Sequence, residues 1–391
     1  MATNAKKGSK AGTKQRQDRK KTKMIIFGVE IVIIAVMVGV LWWLWDFTEE
    51  QPHITEQFTY SDVNVPQQVQ DQKEQGGAMK GYMNIALFGV DAKNEKGLYK
   101  SSRSDTTMVA SINLDTGDIK LVSVYRDTYL NIGDDVYKKC NAAYANGGAQ
   151  QAVGMLNQNL DLDITQFVTV GYAGLAKVID GLGGVYIDVD KDEIKHINNY
   201  QYSILGKYAK QKYKIDITPE LNFTPDEYFT DYDVIVVDTP GYQLLNGLQA
   251  TAYCRIRYVG NDFARTARQR EVIKAIEAQA KKTDLATLTK VFNNVADDIY
   301  TNLDTATILT ELLPNILNYR IVDEGGFPEL NKQVGVNMGA NGICQIPLDL
   351  SASVSWLHEF LFDDEAYEAS DMVNEISKKI TADSSKYRQK N

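Results

Sequence analysis

The stretch MNIALFGVD, residues 83–91, decides the fold: it is a nearly continuous apolar run of strand length that ends on an acid. A run of this kind reads as a strand buried on both faces of a sheet. Working outward, TTMVASINLD (106–115) and GDIKLVSVYRD (117–127) flank the turn Asp115-Thr116-Gly117-Asp118, which predicts a hairpin next to it. FVTVGY (167–172), VYIDVD (185–190) and YDVIVVD (232–238) are further strand candidates. Between them, AQQAVGMLNQNL (149–160) and AGLAKVIDGLGG (173–184) read as helices, the second stopped by glycines. Short apolar strands alternating with helices predict an α/β fold with a mixed sheet covered on both faces.

Two helices should follow: GLQATAYCRIR (247–257) after Asn246, and ARTARQREVIKAIEAQAKK (264–282) after Asn261-Asp262. Residues 191–231 are Tyr-rich and polar without a clear period, which suggests a long insertion or lid beside a site. Residues 284–391 are expected to form a C-terminal segment packing on the domain, with helices, an irregular Gly-rich stretch (325–347) and a helix around SASVSWLHEFLF.

The N-terminal part has another character. Residues 24–45, MIIFGVEIVIIAVMVGVLWWLW, contain one charge, Glu30, and as a helix would reach about 33 Å, enough to cross a bilayer core once. Residues 1–23 carry nine basic residues against Asp18, while Asp46, Glu49 and Glu50 follow the apolar run. The positive-inside bias therefore predicts a cytoplasmic basic tail (1–23), a single transmembrane helix (24–45) and an extracellular remainder in the cell membrane. Residues 46–80, Gln-rich and ending in Gly-Gly, read as a stalk, with the folded domain at 81–283. The whole chain carries −9, and the nine tail cations leave the remainder more acidic still. That argues against binding to a nucleic-acid backbone but leaves room for a local basic pocket. Three cysteines, Cys140, Cys254 and Cys344, show no metal-ligand spacing and read as small buried apolar residues.

The chemistry concentrates on arginines. Arg265, Arg268 and Gln269 open the stripe that continues through Val272, Ile273 and Ile276, so the core-facing side of that helix starts polar. Cations in a helix's first turn, where the macrodipole also favours an anion, suit a phosphate pocket; ion pairing at the sheet edge is the competing reading. Arg255 and Arg257 lie just upstream, and Arg126-Asp127 follows the apolar strand LVSVY at the end where open α/β sheets place ligands. Asp91 and Asp105 would meet at one sheet edge, and two hard oxygen ligands completed by substrate phosphates are what Mg²⁺ or Mn²⁺ prefers; turn capping is the alternative.

The ordered series FGVD, RSDTTM, LVSVYRD, KKCNAAYANGG, GLGGVYIDVD, LLNGLQATAYCRIR and DFARTARQR, spanning about residues 83–282, resembles the LytR-CpsA-Psr family of membrane-anchored cell-wall transferases. The resemblance implies an α/β/α sandwich with a tunnel for the polyprenyl tail of a lipid-linked glycan. It assigns Asp91 and Asp105 to the metal, and Arg103, Arg126, Lys139, Arg255, Arg257, Arg265, Arg268 and Gln269 to the pyrophosphate. Asp127 would orient Arg126, and Asp262 would be the base. Tyr125 stands where the family usually has proline, and Arg270 where a second glutamine is common. The implied activity is phosphotransfer of a glycopolymer from polyprenyl pyrophosphate to peptidoglycan. Hydrolysis of the same lipid-linked glycan and non-catalytic lipid binding with a regulatory role are the competing readings, and the tail has no helix-turn-helix pattern that would favour DNA.

Overall fold

The computed structural model describes residues 53–54, 57–91, 96–99, 102–215 and 223–388; the expected basic tail and transmembrane helix lie outside them. Among the described residues thirteen strands form, in chain order β1 (His53–Ile54), β2 (Tyr82–Val90), β3 (Ser104–Asn113), β4 (Asp118–Val124), β5 (Tyr129–Asn131), β6 (Tyr137–Lys139), β7 (Gln166–Val170), β8 (Val185–Val189), β9 (Gly241–Leu245), β10 (Ile299–Thr301), β11 (Arg320–Phe327), β12 (Gln333–Asn337) and β13 (Ile343–Pro347). Seven of them build one mixed sheet in the order β1-β10-β7-β2-β3-β4-β11. The decisive run 83–91 is its central strand, antiparallel to β3 and parallel to β7. The turn between β3 and β4 falls where the hairpin signal put it, with Gly117 at φ 74° and the carbonyl of Asn318 where a Cβ would sit.

Alternation along β2 explains why its sequence is apolar throughout. Ala86, Phe88 and Val90 face one core, while Ile85 and Leu87 join the cluster on the opposite face. The first core is closed by α1 (Gln67–Glu74), α2 (Ala142–Leu160), α8 (Leu350–Phe362) and α9 (Asp371–Arg388). A second core gathers α3 (Tyr172–Gly181), α4 (Lys191–Tyr213), α5 (Gly247–Tyr253) and α6 (Asp262–Ala280), with the separate β8–β9 ladder beside them. A further helix, α7 (Leu285–Val295), packs through Leu288 against the cluster of Leu182 and Ala280.

Four expectations need correction. Residues 57–80 are not a free stalk: Val63, Val65, Val69 and Met79 are buried in the first core, so sparse apolar residues in a Gln-rich text suffice to anchor it. The folded region therefore begins well before residue 81. The Gly-rich stretch 325–347 is not irregular but completes β11 and forms the β12–β13 ladder, and β11 lies parallel to β4 as an edge strand of the central sheet. Residues 191–213, which lack a clear period, are a helix that starts with the Asp190–Glu193 capping box and kinks at Gly206. Finally, 232–238 is not a strand. Asn198 bonds Val237 through both its amide atoms (2.8 and 2.9 Å), and Gln201 bonds Ile235 likewise (2.9 and 3.2 Å). Side-chain amides of α4 thus take the place of a neighbouring strand, leaving Ile235 and Val236 exposed.

Candidate active site

The register of the sheet assembles the site from distant sequence. Val90 pairs with Ser104, so Asp91, Arg103 and Asp105 emerge at one end of the β2–β3 pair. Because β4 runs antiparallel to β3, Arg126, two residues beyond its end, comes back to the same end and bonds Asp105 Oδ1 at 2.7 Å. The N-terminus of α6, capped by Asn261, delivers Arg265 to this point. The loop leaving α5 delivers Arg255 and Arg257.

These residues surround the mouth of a cavity of about 650 Å³ between the sheet and α6. Its body is apolar, walled by Leu87, Met108 and Val168 from the sheet and by Val272, Ile273 and Ile276 from the helix. The stripe read from the sequence is real: its polar head, Arg265 and Gln269, lies at the mouth and its apolar continuation lines the interior. Arg103, Arg126, Arg255, Arg257 and Arg265 line this cavity against two carboxylates, Asp91 and Asp105. The mouth is therefore net positive in a chain that is net negative.

Asp105 is the organising anion. Its Oδ1 accepts from Arg126 and its Oδ2 from Arg257 at 2.9 Å, while its backbone carbonyl accepts from Arg265 Nη2 at 3.1 Å. Burial works to raise its pKa, but Arg126, Arg265 and Arg257 outweigh burial and hold the carboxyl below the ordinary carboxylate range. Arg265 is only 2% exposed. Burial lowers its pKa below the usual guanidinium value, and Arg257 and Arg126 push the same way against Asp262 and Asp105. Buried guanidinium atoms are left without acceptors: Arg126 Nε, Arg255 Nη1, and Nε and Nη1 of Arg265. Crowded cations at the mouth of an apolar cavity, Arg255 and Arg265 among them with spare donors, define a site for a multiply charged anion carrying an apolar tail.

Four of the residues assigned by resemblance do not line the cavity. Arg268 turns away: its Nε meets Glu193 Oε1 at 2.5 Å, and its other nitrogens donate to the carbonyls of Ile256 and Val259. This arginine is ion-paired, but with Glu193 of α4 and not with an acid at the sheet edge. Lys139 is spent on Asp127 at 2.9 Å, and Asp127 Oδ2 lies 3.9 Å from Arg126 Nε, behind the arginine it was expected to orient. Asp262 Oδ1 is shared between Arg265 (2.9 Å) and Arg126 (3.6 Å). Held between two guanidiniums and outside the cavity lining, its position suits ordering the arginines better than meeting an acceptor hydroxyl.

The structure adds residues the sequence did not single out. Tyr172, first in α3, and Tyr200, from α4, line the cavity beside Arg255. A tyrosine closing FVTVGY at a strand end was the available signal, indistinguishable there from a core aromatic. Tyr125 packs edge-on against Phe263 with ring centroids 4.5 Å apart, tying the end of β4 to the first turn of α6. Arg270 bonds Ser123 Oγ at 2.8 Å, joining α6 to β4. All three cysteines are buried and unpaired.

Among the described residues no group of three or more His, Cys, Asp or Glu side chains is arranged as a metal cage. Asp91 and Asp105 nevertheless fit an ion that draws its other ligands from a phosphate: both line the mouth, and Asp105 is held in its anionic form.

The family model described as LytR_cpsA_psr matches residues 52–324. Similar proteins include the polyisoprenyl-teichoic acid–peptidoglycan teichoic acid transferase TagU of Enterococcus faecalis, 29% identical over 292 residues covering 73% of this chain and 80% of that protein. Biofilm regulatory protein A of Streptococcus mutans is 25% identical over 247 residues, 60% of this chain and 53% of that protein. Protein gbs0355 of Streptococcus agalactiae, a solved structure, superposes with a TM-score of 0.55 at 22% identity, over 76% of this chain and 92% of that one, and shares the fold. The match of the family model, reaching from the segment that packs ahead of β2 into β11, establishes that this chain is a member of the LytR-CpsA-Psr family.

Proposed function

We propose that this protein is a phosphotransferase that moves a glycopolymer from a polyprenyl-pyrophosphate carrier to peptidoglycan at the outer cell surface. The observation that carries this reading is the joining of an arginine-lined mouth to an apolar cavity: one accepts a diphosphate, the other a hydrocarbon tail. Relatives named as teichoic acid transferases acting between a polyisoprenyl carrier and peptidoglycan support it.

The acceptor is a hydroxyl of the peptidoglycan. Its oxygen attacks the phosphorus that carries the sugar, the bond from that phosphorus to the bridging oxygen breaks, and polyprenyl phosphate leaves with the bond's electron pair. The hydroxyl proton passes to water at the open mouth; a loose phosphoryl transition state asks little of a general base. Charge grows on the bridging and non-bridging oxygens, where Arg126, Arg255, Arg257 and Arg265 supply fixed N–H donors. Asp105 holds Arg126 and Arg257 in place, so those donors are oriented before substrate arrives. Asp91 and Asp105 would hold Mg²⁺ or Mn²⁺, which when bound neutralises phosphate charge. The apolar cavity seats the prenyl chain and fixes the depth of the diphosphate. We further propose a single-pass membrane anchor at residues 24–45, which would tether the chain to the membrane that holds the carrier.

The test incubates the full-length chain in detergent with Mg²⁺ and a radiolabelled lipid-linked glycan, with and without peptidoglycan fragments. Label appearing in the fragments supports transfer; label released only to water makes the protein a pyrophosphatase; binding without turnover makes it a lipid-binding protein.

A further inference from the structure

Four of the five arginines at the mouth are fixed, in two different ways. Arg126 and Arg257 are tied to Asp105, and Arg265 to Asp262. Arg255 has no side-chain hydrogen bond and no ion pair among the described residues, and its Nη1 is buried without a partner. Instead its guanidinium carbon lies 4.7 Å from the ring centre of Tyr172 and 5.5 Å from that of Tyr200. The two rings come from different elements: Tyr172 begins α3 directly after β7, and Tyr200 projects from α4.

We propose that Tyr172 and Tyr200 are positioning residues that clamp Arg255 through its π system, so that its charge and its N–H donors remain free for the substrate diphosphate. The proposal rests on the diphosphate reading above. A carboxylate partner would offset the guanidinium charge and occupy one of its donors, as Asp105 does at Arg257 Nη2. An aromatic ring attracts the cation through its quadrupole while taking neither. Tyr172 suits this use because burial pushes its phenol up to about 12, so it stays neutral beside the cation. Through Tyr200 the polar, Tyr-rich insertion at 191–231 supplies one jaw of the clamp and one wall of the cavity.

The test measures binding of farnesyl diphosphate, and of farnesol as the tail alone, to the full-length chain and its variants in detergent by calorimetry, with thermal melts alongside. Arg255→Ala should weaken farnesyl diphosphate at least about ten-fold and leave farnesol unchanged. Tyr200→Leu should weaken the diphosphate about five-fold, equivalent to about 1 kcal/mol, again sparing farnesol, whereas Tyr200→Phe and Tyr172→Phe should retain binding because the ring remains. Added to Arg255→Ala, Tyr200→Leu should have no further effect. Equal losses in Tyr200→Phe and Tyr200→Leu would overturn the clamp, since the hydroxyl and not the ring would then matter. Equal losses for farnesol and its diphosphate would overturn it too, by reducing Tyr200 to a wall. If Arg255→Ala weakens the diphosphate and Tyr200→Leu does not, the clamp alone fails; if Arg255→Ala is silent, the diphosphate reading fails at this arginine and the clamp falls with it.

Discussion

Arg265 and Arg268 are three positions apart on one helix, and replacing each by Met should have opposite consequences. Arg268 is 6% exposed and bonded to a Glu193 that is 4% exposed, so removing it strands a buried carboxylate. Breaking one side of such a pair costs about 3–5 kcal/mol, and Glu193 also caps α4 through the backbone N–H of Asp190. A melting temperature lower by on the order of 10 °C is expected. The affinity of the folded fraction for farnesyl diphosphate should not change, because Arg268 does not face the cavity. Arg265 is the reverse case. Its charge is buried with two nitrogens lacking acceptors and with two arginine neighbours that repel it. Arg265→Met should therefore leave the melting temperature unchanged or raise it, while diphosphate affinity falls at least about ten-fold. Differential scanning calorimetry with and without farnesyl diphosphate reads both quantities in one experiment. An Arg268→Met protein of normal stability that binds diphosphate poorly would refute the assignment of these two side chains.

Other outcomes follow from the same geometry. Arg126→Ala should give a folded protein without transfer activity, checked by circular dichroism beside the glycan-transfer assay; normal turnover would show the site to be misplaced. Asp91→Ala, at an exposed position, should leave stability unchanged and raise the Mg²⁺ concentration needed for half-maximal activity, and a rate indifferent to chelator in the parent protein would remove the metal from the proposal. His358 is buried against Tyr367, and burial depresses its pKa from 6.5 to about 4. The unfolded chain therefore binds a proton between those values that the folded protein does not, so stability is lost as pH falls from 6.5 toward 4. Urea denaturation across that range should show a shallower pH dependence in His358→Gln, and an unchanged slope would clear His358 of the effect.

Strand signals in residues 83–127 were legible because burial on both faces leaves no polar alternation to confuse the period. The arginine-rich head of α6 was legible for the same physical reason in reverse: cations on an apolar stripe demand a cause. Which arginine meets substrate and which meets Glu193 was not legible, because that depends on how α4 lies against α6, a contact between positions 75 apart. The packing of residues 57–80 was hidden by composition, since a few valines at the right depth anchor a segment that is otherwise polar. Residues 232–238 misled in the opposite direction: their β-branched run has strand propensity, but amides from α4 satisfy the backbone first. Tyr172 and Tyr200 were invisible as a pair because a cation–π contact leaves no spacing rule in the chain.

The first core holds Val63 near one end of the described chain and Ile380 near the other, on either side of the sheet's central strand in sequence. Residues flanking the site on both sides thus close over the same interior. During synthesis the platform beneath Asp105 and Arg126 cannot be finished until α9 has left the ribosome, and losing either α1 or α9 would loosen the base on which the phosphate-binding groups stand.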